Sequence, residues 1–148
     1  MGGETRRFEH DAQVPVLVVD DQARFRRVMR DLVAAADGFR LAGEADSGEA
    51  AVEAVGAVGA RFVIMDKRMP GMGGIAACRA IVENDSRVVV LLCSVEELNP
   101  RLLEDCARVE FVPKERLCPR LLTEVWHRRR AHVGPISGAT FVDAGPMI

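Results

Sequence analysis

Five short apolar runs alternating with amphipathic stretches predict a doubly wound α/β sandwich on a parallel sheet. Two further observations support this. The runs are apolar at consecutive positions, as strands covered on both faces must be, and four of them end on Asp, Ser or Lys.

Val14–Val19 (VPVLVV) reads as the first strand and stops at Asp20-Asp21. Arg24 to Ala36 places Phe25, Val28, Met29, Leu32 and Val33 at helical spacing, and Asp37-Gly38 breaks it. Phe39–Ala45 is a second, weaker strand; Ser47 caps a helix running to about Ala57. Phe62–Met65 is the third strand and ends at Asp66. The loop Met69-Pro70-Gly71-Met72-Gly73-Gly74 precedes a helix from Ile75 to Asn84. Val88–Leu92 is the fourth strand, closing at Cys93-Ser94, and Asn99-Pro100 opens a short helix to about Ala107. Val109–Val112 is the fifth strand, followed by Lys114. Cys118-Pro119 opens the last helix, with Leu121, Leu122, Val125 and Trp126 inward and Arg128–Arg130 at its negative pole, read as solvated charges.

The 148 residues fit one domain with short tails: 1–13, a domain over 14–130, and an irregular segment over 131–148. A net charge of −2 gives no general attraction to nucleic acid or anionic lipid, so direct DNA binding is not expected. The first apolar run, Val14–Val19, is too short for a signal peptide or membrane span, and the expected compartment is the cytoplasm. Cys78, Cys93, Cys106 and Cys118 form no CxxC pair and read as small hydrophobes. Basic residues are Arg except Lys67 and Lys114, so a Lys at a strand end suggests a need for a compact ammonium.

In an open α/β sheet, ligands bind beyond the carboxyl ends of the strands. If strands one, three, four and five are neighbours, Asp20-Asp21, Asp66, Ser94 and Lys114 converge there. Clustered carboxylates repel, and hard oxygen ligands favour Mg²⁺ over Zn²⁺. A hydroxyl and an ammonium beside the metal suit an anion, and the set suits phosphoryl transfer, where positioning and charge neutralisation supply most of the catalysis. Singly, the Asp pair reads as a helix cap and the Ser or Lys as a solvated strand end; their joint order is what points to a site. There is no GxGxxG after the first strand, no GxxxxGK[ST], no GxSxG and no HExxH.

Val18-Val19-Asp20-Asp21, Ile64-Met65-Asp66 with Met69-Pro70-Gly71-Met72-Gly73-Gly74, Leu91-Leu92-Cys93-Ser94, and Phe111-Val112-Pro113-Lys114 resemble, in order and spacing, the motifs of response-regulator receiver domains. The resemblance spans about Val14 to Arg130. It implies a flavodoxin/CheY-like (βα)5 fold with strand order 2-1-3-4-5, of the type that stands alone without an output domain. It implies Asp66 as phosphoacceptor, Asp21 and Asp66 as direct Mg²⁺ ligands, Asp20 acting through a metal-bound water, and the Arg68 carbonyl completing the protein ligands. Ser94 and Lys114 would contact the phosphoryl group, and Phe111 would be the aromatic that moves inward. The donor would be a histidine kinase or a small phosphate compound, the output a partner protein. The chain would be a signalling phosphoacceptor, not a metabolic enzyme.

The chain departs from the family pattern at several points. Glu115 stands where many receivers have Pro, so their cis peptide is not expected, and the Gly-Ala pair before the last strand is missing. That puts the surface of the fourth helix in doubt as a standard dimerisation face, while homodimerisation stays open. Val95 is bulkier than usual beside Ser94, and Arg68 and Glu96 carry opposite charges at positions flanking the phosphoryl group. Together Arg68, Val95 and Glu96 suggest a gate that slows hydrolysis, against the bland reading that all point to solvent. The eighteen residues after Arg130 are too few for a helix-turn-helix unit, so the expectation is a phosphorylation-switched binding module. A receiver excised from a DNA-binding regulator and a receiver that binds its partner without phosphorylation are the alternatives.

Overall fold

A computed structural model of the chain describes residues 13–96 and 99–130. The predicted tails, residues 1–13 apart from Gln13 and residues 131–148, lie outside the described residues. Five parallel strands, β1 (Val14–Val19), β2 (Phe39–Ala45), β3 (Phe62–Asp66), β4 (Val89–Ser94) and β5 (Val109–Pro113), form one sheet in the order β2-β1-β3-β4-β5. Among the described residues, four α-helices connect or follow them: α1 (Ala23–Ala35), α2 (Gly48–Val58), α3 (Gly73–Asn84) and α4 (Pro119–Arg130).

Strand side chains alternate between faces, so a strand apolar at every position serves two cores. Leu17 and Val19 of β1 join Val63, Met65, Val90 and Leu92 beneath Ala51, Val55, Ala77, Cys78 and Ile81 of α2 and α3. Val16 and Val18 join Phe62, Ile64, Leu91 and Cys93 beneath Met29, Leu32, Val33, Leu122, Val125 and Trp126 of α1 and α4. Ser47 caps α2 as expected, its hydroxyl accepting the Ala50 N–H at 3.0 Å.

Three expectations need correction. The helix expected from Asn99 to about Ala107 is a single 3₁₀ turn, Pro100–Leu103, although Asn99 Oδ1 does accept the Arg101 N–H at 3.0 Å. Leu103 is buried while Leu102 is 39 % exposed, so no apolar stripe favours elongation. Moreover, Arg79 of α3 donates to the Leu102 carbonyl at 2.6 Å, taking up an acceptor that a longer helix would use. Second, the inward stripe of α1 consists of Met29, Leu32 and Val33; Val28 is 49 % exposed. Third, Arg128 and Arg129 are not simply solvated: both bond Glu110 of β5, at 2.6 and 3.0 Å, and Arg129 also donates to the Ala107 carbonyl. Among the cysteines, Cys78 and Cys93 are buried, with thiols pushed up by burial to about 12, whereas Cys106 is half-buried and Cys118 exposed.

β3 meets α3 through a loop that leaves no room for a side chain at Gly74. A Cβ there would lie 2.5 Å from the Asp66 carbonyl oxygen and 2.6 Å from Lys67 Cα, both backbone atoms. Gly74→Ala should therefore cost about 3 kcal/mol of stability, the upper range for overpacking, as read from urea unfolding midpoints.

Candidate functional site

The sheet reverses its winding between β1 and β3, and the crevice at that point lies beyond the carboxyl ends of both strands. Val19 pairs with Met65, so Asp20, Asp21 and Asp66 emerge side by side. Ligand oxygens of these three carboxylates all lie within 4.8 Å of one another. Asp20 is fully buried, Asp66 is 5 % exposed, and Asp21 stands at the surface.

The Asp20 carboxylate is held at both oxygens. Oδ1 accepts the Gln22 N–H at 2.9 Å, and Oδ2 lies 3.0 Å from Lys114 Nζ. Its backbone is pinned too: the Asp20 N–H donates to Ala45 on β2, and its carbonyl accepts from the Arg26 guanidinium at 2.7 Å. Lys114 Nζ also lies 3.3 Å from Asp66 Oδ1, and it sits 3.6 Å above the centroid of the Phe25 ring.

Burial pushes the Asp66 carboxyl above its ordinary value, Lys114 draws it back, and the charges of Asp20 and Asp21 add to the rise. Burial opposes the Lys114 charge, but hydrogen bonds and charge from Asp20 and then Asp66 overcome it, leaving the ammonium more firmly protonated than usual. The donor set is three carboxylates in a half-open crevice with no thiol or imidazole among them, which fits a hard divalent cation such as Mg²⁺.

The other predicted residues surround this centre. Ser94 ends β4, fully buried, and its Oγ accepts the Glu96 N–H at 3.0 Å. The Arg68 guanidinium lies 3.0 Å from the Glu96 carboxylate, with side chains 69 and 42 % exposed. Val95 is 72 % exposed and its bulk stands largely in solvent. Phe111 is half-buried against the core and lines a cleft of about 440 Å³ together with Leu103, Cys106 and Val109.

Two residues holding the site were not singled out from sequence. Phe25 reads there as one more apolar residue of α1, yet it lies against Lys114. Glu49 of α2 accepts the Met72 N–H at 3.1 Å and so ties the loop after Asp66. Neither carries a local signal, because each partner is remote in the chain.

A family model for the response regulator receiver domain matches residues 16–121. The chemotaxis protein CheY of Thermotoga maritima is 39 % identical over 79 residues, covering 53 % of this chain and 65 % of that protein. Among solved structures, the response regulator domain of Thermotoga maritima CheB superposes with a TM-score of 0.67 at 27 % identity, covering 79 % of this chain and 96 % of that one. A chain of a CheX–CheY–BeF3–Mg²⁺ complex from Borrelia burgdorferi superposes with a TM-score of 0.66 at 26 % identity, covering 77 and 87 % of the two chains. The chain spans between 23 and 65 % of the length of the curated relatives it matches.

The raised Asp66 value means that its ionised form works against folding. Below the ordinary carboxylate range both folded and unfolded states are protonated and nothing is lost; above the folded value the penalty is complete. Asp66→Asn should therefore unfold at higher temperature than the wild type in Mg²⁺-free buffer at neutral pH. The gain should shrink as pH falls through the folded value. Mg²⁺ should raise the wild-type midpoint more than that of the variant, as measured by calorimetric scans with and without the ion.

Proposed function

Because this chain belongs to the response regulator receiver domain family, we propose that Asp66 accepts a phosphoryl group from a histidine kinase and that this switches binding to a partner protein. Receiver domains are signalling phosphoacceptors of two-component systems and bind Mg²⁺, and the observation that carries the reading here is the gathering of Asp20, Asp21 and Asp66 within 4.8 Å, with Lys114 in contact with Asp20 and Asp66. The BeF3–Mg²⁺ complex of the Borrelia CheY supports the same assignment of ligand chemistry. We take residues 14–130 as the receiver domain and the cytoplasm as its compartment. No described helix is long and apolar enough to cross a membrane.

Asp20, Asp21 and Asp66, with the Arg68 carbonyl, would hold Mg²⁺. When bound, the ion offsets the carboxylate charge and that of the incoming phosphoryl oxygens. An Asp66 carboxylate oxygen attacks phosphorus in line, and the P–N bond of a phosphohistidine breaks with its electron pair leaving on the imidazole. With acetyl phosphate the bond broken is P–O and acetate leaves. The Lys114 ammonium, already 3.3 Å from Asp66, meets the added charge. Ser94 Oγ accepts from Glu96, so its own hydrogen is available to donate to a phosphoryl oxygen. Phe111, half-buried beside the cleft, is the aromatic whose inward shift would report the event to the partner surface.

Incubation with acetyl phosphate and Mg²⁺ should add one phosphoryl group by intact mass, and chelation of the metal should abolish the addition. Asp66→Ala should remain unmodified; its phosphorylation would sink the assignment.

We further propose that the exposed Arg68–Glu96 pair acts as a gate that slows entry of the hydrolytic water, with Val95, whose bulk stands largely in solvent, adding little to it. An exposed pair is worth about 0–1 kcal/mol, so opening it should speed dephosphorylation by up to about fivefold. Arg68→Ala, Glu96→Ala and the double variant should share the same increase, because each removes the same contact. Rates equal to wild type in all three would rule the gate out.

A further inference from the structure

Lys114 has three N–H donors and three neighbours: Asp20 at 3.0 Å, Asp66 at 3.3 Å, and the Phe25 ring face at 3.6 Å from its centroid. The side chain is 10 % exposed, so the ring replaces water at the ammonium. Phe25 contributes to neither of the two apolar cores, whereas Met29, one turn further along α1, lies in the core. Packing against the core thus gives no reason for an aromatic at this position. The π face that it turns to a cation does.

The three contacts differ in what they compete with. Asp20 and Asp66 belong to the carboxylate cluster that fits a divalent cation, and Asp66 is the proposed phosphoacceptor. A cation bound there would draw on the same two side chains that now hold the ammonium. The quadrupole of the ring attracts the ammonium without using any of those oxygens. We propose that Phe25 is a positioning residue that holds the Lys114 ammonium at the phosphoryl pocket through its ring face while the carboxylates exchange partners. Phosphorylation then depends on the electron density of the ring as well as on its shape.

The proposal rests on the functional reading above, and the test separates the two. Phosphorylation by acetyl phosphate at saturating Mg²⁺ is followed for wild type, Phe25→Tyr and Phe25→Leu. It is also followed for proteins carrying mono-, di- and trifluorophenylalanine site-specifically at position 25. Leu should slow the reaction by about tenfold, the effect of losing a partly desolvated cation–π contact, while Tyr should stay within about twofold of wild type. The fluorinated rings keep nearly the same shape and weaken the quadrupole in steps, so the logarithm of the rate should fall with each fluorine. A purely structural ring would give a flat series even if Phe25→Leu misfolds. A phosphorylated wild type with a flat series overturns the role of Phe25 alone. A wild type that is never phosphorylated overturns the functional reading and this proposal with it.

Discussion

Three carboxylates share one crevice in this protein, and a single ammonium from the far edge of the sheet makes that tolerable. Asp20 is fully buried, and an unpaired charge in such a place costs several kcal/mol, on the order of 3–5 kcal/mol when a partner is removed. Lys114 supplies the partner from 94 residues further along the chain. The pair cannot form until β1, β3, β4 and β5 stand side by side, so the electrostatics of the site and the completion of the sheet are one event. The same ammonium that stabilises the resting fold also touches Asp66, the proposed phosphoacceptor.

Around that pair the construction divides into rigid and adjustable parts. Strand ends place Asp20, Asp66 and Ser94 within a sheet whose central strands are buried on both faces, which fixes their spacing. The backbone after Asp66 is held as tightly: Lys67 donates to the Cys93 carbonyl at 2.8 Å, and Gly74 donates back to Lys67 at 2.9 Å. The adjustable parts lie outward. Arg68, Glu96 and Val95 are exposed at the rim, and on the β5 side the chain passes through a single 3₁₀ turn beside the cleft at Phe111. Local order of this kind, a firm floor and a loosely packed rim, would suit the proposed phosphoacceptor site, whose charge would change while its geometry holds.

The β5 edge shows how charge shapes that softer region. Glu110 is held below its ordinary value by Arg128 and Arg129 despite the opposing effect of burial, and Arg129 also reaches the Ala107 carbonyl. Arg79 bonds the Leu102 carbonyl and pairs with Asp105 at 3.2 Å. Guanidinium groups from α3 and α4 thus take over carbonyls and carboxylates in the segment where a regular helix was expected. Arg suits this work because its planar fork can serve two acceptors at once.

The strands, the capped helix α2 and the positions of Asp20, Asp21, Asp66, Ser94 and Lys114 at strand ends were legible in the sequence, because period and punctuation are local properties. The motif order even carried the family. Other features depended on partners distant in the chain. Elongation past Leu103 failed because Arg79, from a helix remote in the chain but packed on the same face of the sheet, took the Leu102 carbonyl, and Arg128 and Arg129 found Glu110 only once α4 packed on β5. Phe25 and Val28 look alike in the helical pattern of α1, yet one faces an ammonium and the other solvent. A sequence determines which residues can be apolar together along one element; which charge stands opposite a given ring is decided only when separate elements meet, since contact energy depends on distance and the chain's order does not.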